Sequence, residues 1–276
     1  MSSQTPLPVP TPRNLSQIRP LGIDLCISKS ASGSSYITLG ETKVKCCVNA
    51  PRPCNRRILH ETGILNIIVR HSVKDQRKRP EYNLTTVLTE LFERHILLRR
   101  YPHHLIEAWL TIEEDDGGLF PACVMGLFLA LADCGVQMLD TISAASVVCA
   151  ITVDHMLIQF AFKNPDGSLQ LALDLNAHEE AYYQQLHPGI SRVHLAYCPN
   201  LNTVGYLLCT GGSITYEVLQ KIGDVLADMQ MVTMAQAACD VLTTEINSAM
   251  IDHIKWKRRE MRLALDGNSI CPEIDL

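Results

Sequence analysis

Residues 115–136 read DDGGLFPACVMGLFLALADCGV: an acidic turn, a glycine pair, then an apolar run closed by Asp133 and Gly135. Pro121 suits the first turn of a helix, where a missing N–H costs nothing, and Gly135 suits its end. The spacing predicts a helix from about Pro121 to Gly135. Because it is apolar on nearly every side, it must lie buried between layers. The run from Leu119 to Ala132 falls short of the roughly 18 apolar residues that a membrane span needs, so the chain reads as soluble, with no membrane partner.

Upstream, three short antiparallel strands are predicted between Gly22 and Ala50. They carry Ile23, Leu25 and Ile27, then Tyr36, Ile37 and Leu39, then Val44, Cys46 and Val48, separated by Ser-Gly and Gly-Glu turn signals. A fourth apolar strand is expected over Ile64–Val69. Asn83 to Leu98 places Val87, Leu88, Leu91, His95 and Leu98 on one helical face, with Asn83 as cap. Tyr101-Pro102 breaks that helix, and Leu105 to Ile112 reads as a buried strand.

Downstream, Thr141–Phe162 reads as one or two strands turned at Val153-Asp154-His155. Further strands are expected at Leu169–Leu175, Ile190–Tyr197 and Val204–Cys209. Thr215 to about Arg262 reads as one long helix or two, ending in a basic cluster of Lys255, Lys257, Arg258, Arg259 and Arg262. That cluster either complements a helix C-terminus or serves nuclear import or RNA. Mixed strands with segregated helices give an α+β class, mixed β-sheets packed on helices. The expected layout is a disordered arm over 1–19, where proline and serine dominate, one domain over 20–262, and a tail over 263–276.

A net charge of -5 and a pI near 6.0 provide no global field that would draw the whole surface onto nucleic acid. Any RNA contact has to come from a local patch, and the strongest lies between Pro51 and Pro80: Arg52, Arg56, Arg57, Arg70, Lys74, Arg77, Lys78 and Arg79. Arg99 and Arg100 add to it. The 11 cysteines are scattered and never spaced as CxxC, so neither a disulfide framework nor a metal site is expected. Cys46, Cys47, Cys123, Cys134, Cys149 and Cys209 fall in apolar runs, where a reduced thiol acts as a small hydrophobe in a reducing compartment. His103-His104 is adjacent rather than spaced by four and presents no ligand pair. No glycine pattern supports nucleotide binding, and no cofactor is expected.

Four segments, in order, resemble the RNase PH family, whose members include a phosphorolytic exoribonuclease and the ring subunits of the RNA exosome. They are Gly33-Ser34-Ser35-Tyr36 through Gly40-Glu41-Thr42-Lys43-Val44 to Ala50-Pro51-Arg52; Arg100-Tyr101-Pro102; Asp116-Gly117-Gly118 leading to Ala130-Leu131-Ala132-Asp133-Cys134-Gly135-Val136; and Leu173-Asp174-Leu175 with Glu179-Glu180. The last, continued to Pro199-Asn200-Leu201-Asn202 and Gly205, is most similar to the mRNA-transport-regulator type of non-catalytic ring subunit.

The resemblance implies an RNase PH-like fold and a place in a hetero-hexameric ring of paralogous subunits. It also implies an RNA-binding cap subunit, RNA in the channel, and residence in nucleus, nucleolus and cytoplasm. In active members a hydroxyl residue and an arginine follow the glycine pair and hold phosphate; Leu119 and Phe120 stand there, and neither side chain donates a hydrogen bond. Active members also carry a second acid six residues after the first. Glu180 takes the first place and Leu186 the second, so the acidic pair is degenerate. No catalytic residue is assigned. The bland readings stand alongside: the acidic turn as a solvated loop, Glu179 and Glu180 as first-turn helix residues, and the basic stretch as a solvated or protein-facing patch. Two rival functions remain, an active phosphorolytic RNase with its donors elsewhere and a scaffold that never meets RNA.

Overall fold

The computed structural model describes residues 17–53, 62–72, 83–154, 157–160, 172–186, 190–210 and 230–265. Two sheets sandwich the apolar helix. The first sheet has the order β1 (Leu21–Leu25), β2 (Gly33–Leu39), β3 (Thr42–Pro53), β5 (His104–Glu114), β4 (Ile64–His71), antiparallel except where β4 runs parallel to β5. Helix α1 (Leu84–His95) joins β4 to β5, as a parallel pair requires. The second sheet has the order β10 (Thr203–Thr210), β9 (Ile190–Cys198), β6 (Ser143–Asp154), β7 (Leu157–Phe160), and the short β8 (Ala172–Leu173) also pairs with β6. Helix α2 (Leu119–Cys134) lies between them. A short helix α3 (Ala177–Leu186) follows β8, and the long helix α4 (Gln230–Leu265) closes the described chain.

The predicted alternation is realised in β2 and β3, where Ile37, Leu39, Val44, Cys46 and Val48 are buried on one face of the first sheet; in the first strand it is not, since β1 ends at Leu25 and Ile27 is exposed. Ile106, Ala108, Leu110 and Ile112 of β5 continue that face. Every α2 residue from Leu119 to Leu131 is buried, so this helix is the centre of the core. It starts at Leu119, two residues before the expected Pro121, because Gly118 takes a left-handed conformation at the cap. Pro121 remains in the first turn, where its missing N–H has no intrahelical partner to lose.

Other boundaries shift for local reasons. Helix α1 ends at His95, because Ile96 turns extended (φ −80°, ψ 135°) and bridges to Met138. Leu98 therefore sits in a 3-10 turn (Leu98–Arg100) and not on the helical face predicted for it. Asn83 is the N-cap by position but makes no side-chain capping bond. Cys209, read as lying in an apolar run, is exposed, because β10 is the edge of its sheet. Strand β8 accounts for only part of the stretch expected over Leu169–Leu175, the remainder of which lies partly outside the described residues. Cys149 and the proposed helical segment 215–229 also fall at least partly outside what is described.

The described residues begin at Gln17. Gln17 to Pro20 run as a strap against β2: the Gly40 amide donates to the Pro20 carbonyl at 3.0 Å. Among the described residues no helix is long and apolar enough to cross a membrane.

Candidate functional site

The glycine pair of the acidic turn is fixed by space. Gly117 and Gly118 have φ of 85° and 65°, which side chains rarely adopt. A Cβ on Gly117 would lie 2.5 Å from the Leu175 carbonyl oxygen, and one on Gly118 would lie 2.6 Å from Asp174 Oδ1. The turn is therefore pressed against the segment after β8. Thr42 at the start of β3 clamps it: its hydroxyl donates to the Gly117 carbonyl at 2.6 Å and accepts from the Asp116 amide at 3.0 Å. The Ala177 amide donates to the Asp116 carbonyl at 3.0 Å, tying α3 to the same turn.

Arg19 fills the space that remains. Its Nε donates to Asp174 Oδ2 at 2.9 Å, and its Nη2 donates to Asp174 Oδ1 at 2.7 Å and to the Gly117 carbonyl at 2.9 Å. Its Nη1 donates to the Asp116 carbonyl at 3.0 Å. Four of a guanidinium's five N–H groups are thus engaged. The side chains of Arg19 and Asp174 are only 8% and 4% exposed. Burial disfavours the charged guanidinium, but the bidentate bond and the charges of Asp174, Asp116 and Glu179 outweigh it and hold the arginine firmly protonated.

Among the described residues, two guanidiniums serve the carboxylates Asp116, Asp174, Glu179 and Glu180. One is Arg19; the other is Arg192 of β9, which pairs with Glu180. Asn176 and Glu179 form a reciprocal cap on α3, the Glu179 amide donating to Asn176 Oδ1 at 2.7 Å and the Asn176 amide to Glu179 Oε2 at 3.0 Å. Glu179 and Glu180 are therefore first-turn residues, the bland reading offered from sequence. Leu186 is the last residue of α3.

Leu119 and Phe120, the candidates for a degenerate phosphate site, belong to the buried core. Phe120 packs on His194 of β9 with ring centroids 5.4 Å apart. Burial pushes the His194 pKa down to about 4, and the charge of Arg192 adds to the effect. Its Nδ1 shares a 2.6 Å hydrogen bond with the Ser146 hydroxyl. A histidine held neutral in this way contributes stability that is full above the unfolded pKa near 6.5 and is lost as pH falls toward 4. The urea midpoint should therefore decline across that interval, and His194→Gln should flatten the decline; an unchanged slope in the variant would remove His194 as its source.

The basic candidates do not converge among the described residues. Arg52 is exposed and approaches Glu107 Oε2 at 3.7 Å. Arg70 lies 4.4 Å from the centre of the Trp109 ring on the open face of the first sheet. Their register partners on β5, Leu105 and Thr111, are six residues and so about 20 Å apart. Arg99 and Arg100 are exposed at the Leu105 end, where Arg100 donates to Gln137 Oε1 at 2.5 Å. Arg56, Arg57, Lys74, Arg77, Lys78 and Arg79 lie outside the described residues.

Two buried clusters escaped the sequence reading. One is Arg19, hidden in a proline-rich arm with no pattern to mark it. The other joins Asp133 to helix α4: its Oδ1 accepts from Lys257 Nζ at 2.6 Å and His253 Nε2 at 2.8 Å, and its Oδ2 from the Ser34 amide at 3.0 Å. Asp133 stood inside a recognised segment, but its partners lie about 120 residues onward. Among the described residues no group of three or more His, Cys, Asp or Glu is placed to hold a metal ion.

Residues 17–137 match the sequence model of the 3' exoribonuclease family, domain 1. Over longer stretches the chain is similar to archaeal proteins called exosome complex component Rrp41. It is 27% identical to that of Pyrobaculum islandicum over 239 residues, covering 83% of this chain and 87% of the relative. It is 29% identical to that of Pyrobaculum aerophilum over 220 residues, covering 76% and 80%. Among solved structures, rice (Oryza sativa) Rrp46 superposes with a TM-score of 0.60 at 21% identity, covering 85% of this chain and 98% of that one. A chain of an archaeal exosome core superposes with a TM-score of 0.55 at 14% identity, covering 85% and 89%. The fold is that of an RNase PH domain, as the four sequence segments implied.

Proposed function

We propose that this chain, RNase PH-like in fold and matching the exoribonuclease family over its first half, is a non-catalytic subunit of an exosome core ring. It acts beside paralogous RNase PH-like subunits, under an RNA-binding cap subunit, and lines the path of RNA that another subunit degrades. It resembles the mRNA-transport-regulator type of subunit, and its place of work is nucleus, nucleolus and cytoplasm. Similarity to Rrp41 and Rrp46 chains supports the ring.

One observation carries the non-catalytic part: the cation at the acidic turn is already neutralised. Phosphorolysis needs orthophosphate held beside an anionic RNA backbone, which takes free positive charge and unspent donors. Arg19 has given its donors to Asp174, Asp116 and Gly117. Leu119 and Phe120, both buried in the core, add no polar group. Among the described residues, Arg19 therefore has little left with which to hold the attacking anion.

The alternative is an active phosphorolytic exoribonuclease, which the description of the matched family favours. The purified chain, incubated with RNA in the presence and absence of orthophosphate, separates the two. The non-catalytic reading requires no phosphate-dependent release of nucleoside diphosphates; release that tracks phosphate concentration establishes the alternative.

A further inference from the structure

The end of α4 is largely exposed. The helix rises about 1.5 Å per residue, and among the described residues its last hydrogen bonds to another element are those of His253 and Lys257 to Asp133. Beyond them Arg258, Arg259, Met261 and Arg262 are exposed. Ile251, Ile254 and Met261 are 52%, 44% and 59% exposed. At 100° per residue these three fall within an arc of about 80°, with spacings of three and seven, as on a coiled-coil seam.

Cations interrupt and flank that stripe. On the same geometry Arg258 projects within it, between Ile251 and Ile254, and Arg262, Lys255 and Arg259 follow over the adjoining arc of about 80° on one side. Lys255 is shared with Asp252 at 3.1 Å, but Arg258, Arg259 and Arg262 make no ion pair among the described residues. On a chain of net charge -5 this is a local reversal of sign.

We infer that the end of α4 is a docking surface for an acidic amphipathic helix of another protein, its apolar seam laid on Ile251, Ile254 and Met261 and its carboxylates on Arg258, Arg259 and Arg262. Charge complementarity names the partner's acidic flank, and the heptad spacing names its helical form. RNA would satisfy the arginines through its phosphates but leave the apolar seam in water. The inference stands independently of the ring assignment.

The test uses the full chain and three probes: a synthetic heptad peptide with leucine at a and d and glutamate at e and g, the same peptide with lysine at e and g, and a uridine homopolymer. Fluorescence anisotropy should show the acidic peptide binding at least about tenfold more tightly than its basic twin. Ile254→Ala with Met261→Ala, and separately Arg258→Glu with Arg259→Glu, should each weaken it by about tenfold or more. Circular dichroism and the unfolding midpoint should not move, since these side chains are exposed. Equal affinity for the two peptides, no peptide binding, or indifference to the apolar pair overturns the inference. So does RNA binding that depends on the arginines alone.

Discussion

Replacing Arg19 by alanine should destabilise the fold by about 3–5 kcal/mol, because it leaves the Asp174 carboxylate buried without its cation. Asp174 has a side chain 4% exposed and cannot recover hydration without opening the molecule. Arg19→Lys should recover only part of the loss: an ammonium cannot reproduce the bidentate geometry or reach both the Asp116 and Gly117 carbonyls. For a chain of this size the alanine variant should unfold on the order of 10 °C earlier in a calorimetric scan. The double variant Arg19→Met with Asp174→Leu removes both charges and should sit closer to the parent than Arg19→Ala does. If Arg19→Ala unfolds at the parental temperature, the strap is ornament, and the account of a self-neutralised site falls with it.

Asp133 should be the second most costly substitution. Its side chain is 2% exposed and takes hydrogen bonds from Lys257, His253 and the Ser34 amide, so it joins α2, β2 and α4 at one carboxylate. Asp133→Ala strands those donors and should cost about 2–4 kcal/mol, the range for breaking a partly buried charged network. Burial raises the pKa of this carboxyl, but the three donors outweigh burial and hold it below its ordinary value of 3.8. The sign follows: the contribution is complete above the unfolded pKa near 3.9 and disappears as pH falls through the lower folded value. Chemical denaturation at pH 7 and near pH 3 should therefore show a large gap between parent and Asp133→Ala at the first and a narrowed gap at the second. An undiminished gap at low pH would mean that the variant fails through packing, not through charge.

The contrast between these two clusters explains how much of the molecule could be read in advance. Strands β2 and β3 and helix α2 were legible because period two and unbroken apolarity are local signals, set by neighbouring residues. The end of α1 was not, since Leu98 keeps the helical phase while Ile96 leaves the helix to bridge with Met138, a tertiary contact. Glu179 and Glu180 were correctly weighed as helix-start residues, and their cap partner Asn176 lies only three residues from Glu179. Arg19 was invisible for the opposite reason: its meaning lies in Asp174, and nothing within the window Pro8–Ile23 points there. Leu119 and Phe120 were read as a degenerate phosphate site; that they are buried in the core depends on where the second sheet packs.

The strap has a consequence for how the chain is made. Arg19 and Asp174 are 155 residues apart, so the segment that leads into β1 waits for a partner in the second half of the chain. At ordinary elongation rates of about 5–20 residues per second, that interval is about 8–30 s, during which the nascent first sheet exposes the face that α2 and the second sheet will later cover. Contacts of such sequence separation slow folding, and an apolar face left uncovered until the second half arrives is prone to aggregation.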